Sequence, residues 1–349
     1  MGNEKFHVAV VGVGAVGKEL VRILEERRFP IKKLTILGRT RRREKIGGQS
    51  YEVLPASSAT WEEVDLALFA GTEGAKGACA QYGWQAVRRG VVVIDNGDDF
   101  RMDPRVPLVV PQINPQALRD HQGMIANPNC STIQMVMALW PLHKVVPLKE
   151  VIVSTYQAVS GSGSAGIQEL REQTSAVAQG QRPYQLACKV YPQPIFSNAI
   201  PQISSPVEEP LGYFREEWKM MYETRKIFSA SDLKITATCV RVPVFNAHSE
   251  AITARFESAF PLSEAQRALQ EAPGVCFIPS GEFPPTPLFC SGQDKVYVGR
   301  LRQSSLGEDT LEMWVVADNL RKGAALNAVE IAEALIEQDL LRPFSRRSS

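Results

Sequence analysis

The chain has 349 residues, of which 44% are hydrophobic and 22% are charged, and its formal net charge at pH 7 is +1. This length and composition are typical of a globular protein with room for two domains. The nearly neutral charge argues against a protein whose overall field attracts nucleic acid or an anionic membrane. The sequence contains neither an apolar run of membrane-spanning length nor the apolar core of a signal peptide, which favours a cytoplasmic protein.

Six cysteines are scattered along the chain without a CxxC pair, an arrangement that predicts neither a zinc site nor a disulfide framework. They are Cys79, Cys130, Cys188, Cys239, Cys276 and Cys290. Five of them are expected to be small core hydrophobes.

Short apolar runs alternate with helical patterns over the first 130 residues. Strands are predicted at His7–Val11, Leu34–Leu37, Leu66–Phe69, Val91–Ile94 and Leu108–Val110, and helices from Val16 onward and near Gly74–Arg89. Apolar strands that lack alternation and are separated by helices indicate a parallel sheet covered on both faces.

The pattern changes after Ser131, where the predicted strands become longer and alternate more. A helix is predicted at Thr132–Trp140, strands at Val151–Val159, Lys234–Val244, Ala251–Ser258, Val296–Arg302 and Leu311–Ala317, and helices near 165–179, 215–228, 263–271 and 322–341. These elements predict an antiparallel or mixed sheet in a second domain.

Two proline-rich segments, Tyr191–Pro210 and Pro279–Pro287, are predicted to be loops. They could be arms at a subunit interface or surface connections, and the sequence leaves both open. The tail Arg342–Ser349 is expected to be disordered.

Gly12, Gly14 and Gly17 form a GxGxxG pattern between a predicted strand and a predicted helix that begins near Ala15 and Val16. In this context the glycines allow a tight turn, close approach of a pyrophosphate and packing of the helix on the strand, while the helix N-terminus faces the negative charge. The pattern predicts a dinucleotide site, although an ordinary glycine turn is the simpler alternative.

The residues after the second strand favour NADP over NAD. Arg39, Thr40 and Arg41 stand where an NAD enzyme usually carries an acid for the ribose hydroxyls, and the first acid is Glu44. Guanidinium groups suit a 2′-phosphate. The alternative is a solvated basic loop.

Cys130 lies in Asn127–Thr132, at the junction of the two predicted domains and immediately before a predicted helix. A helix N-terminus lowers the pKa of a thiol and supplies backbone N–H groups to a developing oxyanion. A nucleophilic cysteine also needs a proton acceptor. Of the four histidines, His248 is the best candidate by elimination, in a predicted turn between two strands of the second domain; His7 is read as a packed strand residue, His121 lies in a polar turn and His143 follows a helix.

Several motifs in one order resemble the aspartate-semialdehyde dehydrogenase family over almost the whole chain. They are the GxGxxG glycines, Asn127–Thr132, Tyr156–Gly163, Glu216–Lys219 with Glu223–Ile227, Arg241–Val244 with His248–Glu250, and Asp318–Asn327. The resemblance implies NADPH-dependent conversion of L-aspartyl 4-phosphate to L-aspartate 4-semialdehyde through a Cys130 thioester, in the biosynthesis of lysine, threonine and methionine.

The resemblance also implies a role for each site residue. His248 would take and return protons, Gln157 would position the acyl group, Arg241 would bind the substrate α-carboxylate and Glu216 its ammonium. Arg101, Asn129 and Lys219 would bind phosphate, whereas Ser160, Gly161, Gly163 and Asn319 would lie near the nicotinamide. No metal is implied.

For the architecture, the resemblance implies a Rossmann-like doubly wound α/β domain over 1–130, completed by a C-terminal helix at 322–349. An α+β catalytic and dimerisation domain over 131–321 would make the protein a homodimer or homotetramer.

The sequence departs from the family in two places. Gly97-Asp98-Asp99 puts two carboxylates before Arg101, where small serines are usual, and the loop Ala70–Gly74 lacks the usual glycine-serine pattern. An N-acetylglutamyl-phosphate reductase, a glyceraldehyde-3-phosphate type enzyme and a non-catalytic NADP-binding homologue remain alternatives, although the retained Cys130 and His248 argue against the last.

Overall fold

A computed structural model describes residues 4–56, 61–71 and 77–343. The chain forms two compact units, one of Met1–Asn129 with Ala324–Ser349 and one of Cys130–Gly323. Most of the atypical loop Ala70–Gly74, the predicted start of a helix at Gly74 and the end of the predicted disordered tail lie outside the described residues.

The strands in chain order are β1 Phe6–Val11, β2 Ile31–Gly38, β3 Arg42–Ile46, β4 Gln49–Pro55, β5 Leu66–Phe69, β6 Val92–Asp95, β7 Met124–Ala126, β8 Leu148–Gln157, β9 Lys234–Arg241, β10 His248–Phe256, β11 Val275–Phe277, β12 Val296–Gln303 and β13 Thr310–Ala317. The helices are α1 Ala15–Glu26, α2 Ala78–Arg88, α3 Cys130–His143, α4 Gly163–Ala178, α5 Arg215–Phe228, α6 Leu262–Gln270, α7 Pro287–Cys290 and α8 Leu326–Glu337. None of the described helices is long and apolar enough to cross a membrane.

The first unit is built on a seven-stranded sheet in the order β3-β4-β2-β1-β5-β6-β7. All neighbouring strands are parallel except the β3–β4 pair. An apolar cluster of this unit joins residues of β1, α1 and α8, among them Val8, Leu20 and Val329. The predicted parallel sheet and Rossmann-like fold are confirmed, and the last helix of the chain supplies part of this core.

Two details of this sheet differ from the prediction. The hairpin β3–β4 was missed because its residues are mostly charged and polar, although Gly47 and Gly48 between the strands have φ of 57° and 86°, as a tight two-residue hairpin requires. The predicted strand Leu108–Val110 is wrong: Leu108 makes only an isolated bridge with Ala126, and β7 forms the edge of the sheet.

The second unit is built on a mixed six-stranded sheet in the order β11-β12-β13-β10-β8-β9. The β8–β9 and β11–β12 pairs are parallel and the others antiparallel. Helices α3, α5 and α6 pack against this sheet. The predicted mixed sheet is confirmed, and Tyr191–Pro210 contains no helix or strand, whereas the second proline-rich loop ends where α7 begins at Pro287.

Three predicted boundaries near the candidate site are corrected. Cys130 is the first residue of α3, whereas we expected it to precede the helix. The helix runs to His143, so His143 is its last residue and does not follow it as we expected. His248 is the first residue of β10, not part of a turn. The predicted helix 322–341 begins as a wider π-helical turn at Arg321–Ala325, and α8 ends at Glu337.

Candidate active site

Three polar side chains lie side by side where neighbouring strands of the second unit's sheet begin or end. Gln157 at the end of β8 pairs with Arg241 at the end of β9. Ser249 pairs with Tyr156, so the same register continued by one residue brings His248 opposite Gln157. Since alternate residues share a face, Arg241, Gln157 and His248 form one row on the helix-covered face. We call it the polar row.

His248 is fully buried, and its ring is oriented by one hydrogen bond from the backbone. The Ala158 N–H donates to Nδ1 at 2.9 Å, so a neutral ring carries its hydrogen on Nε2. Nε2 has no hydrogen-bond partner among the described residues. Burial, helped by Arg241 and opposed by Glu216, lowers the pKa of His248 to about 3. The arrangement therefore presents a neutral imidazole that donates from Nε2.

Arg241 is a buried cation, and only part of its guanidinium group is hydrogen-bonded to the protein. Nη1 donates to the Ala158 carbonyl at 2.6 Å, and the side chain makes no ion pair in the described part of the chain. A Cβ at Gly161 would lie 2.9 Å from Arg241 Nη1 and 3.3 Å from His248 Nε2. Glycine therefore lets the backbone approach both groups and leaves the other guanidinium donors for a ligand.

Gln157 joins the polar row to helix α5. Its Nε2 donates to Glu216 Oε1 at 3.0 Å, and its Oε1 accepts from the Thr155 hydroxyl at 3.0 Å. Lys219 Nζ lies 3.7 Å from Glu216 Oε2, and both side chains are buried. Buried charges of both signs thus stand beside an oriented amide, an arrangement suited to a small ligand that carries both charges.

Cys130 is the first residue of α3, where the helix N-terminus favours negative charge on the sulfur. Gln134, one turn later on the same helix face, donates from Nε2 to the His248 carbonyl over a long 3.5 Å. This face of α3 is therefore turned toward the start of β10. A Cβ added at Gly323 would lie 2.9 Å from Cys130 Cβ. The π-helical turn Arg321–Ala325 therefore packs closely against Cys130, the candidate nucleophile.

A hydrogen-bonded network holds the loops around the polar row. Asn319 Oδ1 accepts from the Ser160 hydroxyl at 2.9 Å and from the Ala247 N–H at 3.1 Å. Asp318 accepts from four groups: the N–H groups of Gly292, Leu320 and Arg321 and the Asn246 side chain. Sequence reasoning missed the role of Asp318, although an acid just before a predicted helix is a recognised capping signal. Gly163 begins α4 with a φ of 71°.

In the first unit the glycine loop fits a dinucleotide. Gly12 has a φ of 101°, and a Cβ at Gly17 would lie 1.9 Å from the Gly12 carbonyl oxygen, so neither position accepts a side chain. A Cβ at Gly14 would meet no atom of the described residues within 4 Å, and Gly14 caps α1, which begins at Ala15 and Val16. This open helix N-terminus is the feature that a pyrophosphate needs.

The basic loop Arg39–Arg41 is exposed. Arg41 Nε donates to Glu52 Oε1 at 2.8 Å in a surface ion pair, and Thr40 offers its carbonyl to Arg42. Glu44, the first acid after β2, is engaged by Lys18 at 2.7 Å and by Arg42, and the hydrogen bond from Lys18 lowers its pKa.

Arg101 is held by backbone carbonyls of its own unit: Nε donates to Asn127 at 2.9 Å and Nη2 to Asn96 at 2.8 Å. Burial raises the pKa of Asp95 to about 6, and Arg101 offsets part of that shift. Asn129 is buried in the same unit. The structure thus gathers Gln157, Ser160, Gly161, Glu216, Lys219, Arg241, His248 and Asn319 at one region of the second unit, whereas the glycine loop, the basic loop, Arg101 and Asn129 belong to the first.

Comparison with known proteins identifies both units. Residues 7–121 match the family described as semialdehyde dehydrogenase, NAD binding domain, and residues 139–322 match semialdehyde dehydrogenase, dimerisation domain. The aspartate-semialdehyde dehydrogenase of Aquifex aeolicus is 44% identical over 96% of this chain and 99% of its own length. The enzyme of that name from Synechocystis is 42% identical over 96% and 98%.

A solved structure leads to the same family. The Vibrio cholerae aspartate semialdehyde dehydrogenase II, described as complexed with ASA, has a TM-score of 0.90 and 39% identity to this chain, over 96% of this chain and 99% of its own. The resemblance, the fold class and the oxidoreductase class predicted from the sequence are confirmed, and the comparisons do not support the alternatives. With its NAD-binding and dimerisation domains both matched, this chain belongs to the aspartate-semialdehyde dehydrogenase family.

Proposed function

We propose that the chain reduces L-aspartyl 4-phosphate to L-aspartate 4-semialdehyde with NADPH, through a thioester on Cys130. The observation that carries the proposal is the polar row, which brings Arg241, Gln157 and His248 together on the face against which the helix begun by Cys130 packs. The names of the relatives and the ASA bound in the Vibrio cholerae structure support the same substrate.

In the first step the Cys130 thiolate attacks the acyl carbon, and the bond from that carbon to the phosphate oxygen breaks, so inorganic phosphate leaves and a thioester remains. The N-terminus of α3 stabilises the thiolate and offers N–H groups to the tetrahedral oxyanion. Lys219, together with Arg101 and Asn129 of the first unit, is proposed to bind the phosphate. Gln157, fixed by Thr155 and Glu216, orients the acyl group.

NADPH, when bound, supplies a hydride for the thioester carbon. His248 then has a defined task, because its Nε2–H can donate a hydrogen bond to the oxygen on which negative charge develops. Its low pKa keeps the ring neutral before the reaction. Collapse of the resulting hemithioacetal breaks the carbon–sulfur bond, releases the aldehyde and restores Cys130.

The first unit is proposed to bind NADPH, with Gly12, Gly14, Ala15, Val16 and Gly17 around the pyrophosphate. In the second unit, Ser160, Gly161, Gly163 and Asn319 would border the nicotinamide. Ser160 and Asn319 are already joined by a hydrogen bond, and Gly161 lies against Arg241 and His248. This placement suits residues that must bring a cofactor close to the reacting carbon.

The second unit is also proposed to join two copies of the chain into a homodimer. The sheet face opposite the helices carries Ile152 and Tyr156, whose exposed fractions are 55% and 39%, and Tyr156 packs against Trp314 with ring centroids 5.4 Å apart. An exposed apolar surface of this kind is typical of a protein interface.

The reverse reaction tests the proposed substrate. We expect reduction of NADP⁺ by L-aspartate 4-semialdehyde only when inorganic phosphate is present, because phosphate must release the acyl group from Cys130. N-acetylglutamate semialdehyde should be a poor substrate, since its acetylated nitrogen carries no ammonium for Glu216. A higher kcat/KM with the acetylated aldehyde would overturn the assignment.

Neutralising Arg39 and Arg41 together should lower kcat/KM for NADPH by roughly tenfold or more, with little change for NADH, because charge-assisted hydrogen bonds to a 2′-phosphate are lost. The Arg41–Glu52 pair is exposed, so losing it should barely affect stability. Arg43→Gln, on the exposed strand β3, is the control. Equal use of both cofactors by the wild type would show that the loop is only a solvated surface.

Arg241→Lys should reduce kcat/KM by about tenfold to a hundredfold, since each lost charge-assisted hydrogen bond costs roughly 1.5–3 kcal/mol. Lysine keeps the charge but loses the planar fork that matches a carboxylate. Steady-state kinetics with L-aspartate 4-semialdehyde measures the effect, and NADPH binding is the control because it should not change. Wild-type kinetics would remove Arg241 from the substrate site.

A further inference from the structure

A second buried row lies directly behind the polar row. Glu250 on β10 pairs with Thr155 on β8, which pairs with Cys239 on β9. These residues share the face of the polar row, because each precedes or follows one of its members by two positions. Glu250 is fully buried, and neither carboxyl oxygen has a hydrogen-bond partner among the described residues.

No cation in the described part of the chain forms an ion pair with Glu250. Helix α5 contributes Glu216, Glu217 and Lys219 to this layer, but Lys219 lies against Glu216. The other titratable groups around it are His248 and Arg241 of the polar row and Cys239 of its own row, and β13 presents Val315 beside it. An ionised Glu250 would therefore be a buried charge without compensation.

The polar neighbour of Glu250 on α3 is the side-chain amide of Gln134. Gln134 directs Nε2 toward the His248 carbonyl, and its Oε1 is buried without a partner in the described structure. An amide oxygen accepts only from a donor, and a carboxyl group is a donor only when it is protonated. Burial raises the pKa of Glu250 well above its ordinary value, and it outweighs the Gln134 side chain, whose polar contact with the carboxyl group lowers that pKa. The net direction favours the protonated acid.

We propose that Glu250 is a neutral carboxylic acid whose O–H donates to Gln134 Oε1, so that the acid and the amide together fix the backbone of His248. Glu250 is in this sense a positioning residue, acting through Gln134 and never touching the substrate. Its neutrality also avoids a further buried negative charge in the layer that already holds Glu216 and Glu217. The inference rests on the proposed roles of Cys130 and His248.

Protonation of Glu250 has a consequence for stability. The unfolded chain releases this proton near the ordinary value of 4.5, whereas the folded chain retains it. Folded molecules therefore bind more protons above that pH, and stability falls as pH rises from about 4.5 toward the raised pKa. Glu250→Gln removes the ionisable group, so its melting temperature should exceed the wild-type value near about pH 8, and the difference should vanish near about pH 4.5.

Glu217→Gln is the matched control, because Glu217 is a buried acid of the same layer whose two oxygens both have hydrogen-bond donors. Glu217 accepts from the N–H of Phe214 at 2.8 Å and of Cys239 at 2.9 Å, so glutamine should destabilise the protein near about pH 8. Infrared difference spectra of wild type against Glu250→Gln should show the carbonyl band of a protonated acid. A carboxylate band in its place, or a lower melting temperature for Glu250→Gln at that pH, would overturn the proposal.

Activity separates positioning from simple packing. Glu250→Gln keeps a neutral donor for Gln134 and should retain at least about a third of wild-type kcat, whereas Glu250→Leu should lose about tenfold in kcat with little change in KM. The pH profile of Cys130 alkylation by iodoacetamide should be the same in Glu250→Gln and wild type, because one neutral group replaces another.

Three results would count against parts of this scheme, and they can be told apart. A shift of the alkylation profile to lower pH in Glu250→Gln would show that wild-type Glu250 is charged. Equal kcat for Glu250→Leu and Glu250→Gln would show that it does not position His248. Alkylation of wild type at a cysteine other than Cys130 would instead contradict the proposed active site itself.

Discussion

Cys130→Ala should lower turnover by on the order of 10⁴-fold or more, the scale on which loss of a covalent nucleophile acts in other enzymes. Alanine cannot form a thioester, and Cys130 is the cysteine that stands at the first position of α3. NADPH binding, measured by fluorescence titration, should be nearly unchanged because the glycine loop belongs to the other unit.

Cys239→Ala is the matched control, since Cys239 lies in the same unit but is completely buried. Burial raises the pKa of Cys79 and Cys239 well above the ordinary value and that of Cys290 to about 12. These thiols should therefore react slowly near neutral pH. Substantial turnover by pure Cys130→Ala, or iodoacetamide labelling mainly at another cysteine, would refute the assignment.

His248→Asn should lower kcat by on the order of a hundredfold or more, the usual cost of removing one hydrogen-bond donor to a developing oxyanion. Asparagine can still accept the Ala158 N–H, but its amide does not place a donor where Nε2 lies. The low pKa of His248 adds a second expectation. An imidazole in water gains a proton as the pH falls through about 6.5, whereas the buried ring of His248 stays neutral there. The wild-type kcat should therefore show no decrease near this pH that is caused by His248.

His143→Asn is the comparison, because His143 Nδ1 also accepts a backbone N–H, from Leu148 at 3.0 Å. Its half-buried ring stacks on Trp140 and Phe228, so this change should affect stability and leave kcat near wild type. If His143→Asn or His121→Asn were the more damaging substitution for kcat, the choice of His248 would be wrong.

Most of the fold could be predicted because buried parallel strands and amphipathic helices leave periodic signals. The hairpin at Arg42–Pro55 could not be read from hydrophobicity, since most of its residues are charged or polar. The strand expected at Leu108–Val110 shows the opposite error: a buried apolar run was taken for a strand, although it makes only an isolated bridge to Ala126 of the edge strand β7.

The residues of the candidate site could be selected from their types and motifs, but their arrangement in space could be found only from the register of the sheet. The sequence singled out Gln157, Arg241 and His248 separately, and only the pairing of β8, β9 and β10 shows that they form one row. The direction of the Ala158 hydrogen bond, which makes Nε2 of His248 the donor, depends on backbone geometry that no motif encodes. For the same reason the motif His248–Glu250 does not reveal that Glu250 is fully buried.

The place of α8 in the first unit has a consequence for synthesis of the chain. Residues 1–129 leave the ribosome first, yet their core includes Leu326, Val329 and Leu335 of the last helix. The inserted unit, residues 130–323, is complete in sequence before that helix is made. The first unit can therefore complete its core only after the inserted unit has been translated, and until then the apolar side chains that α8 covers lack this partner on the nascent chain.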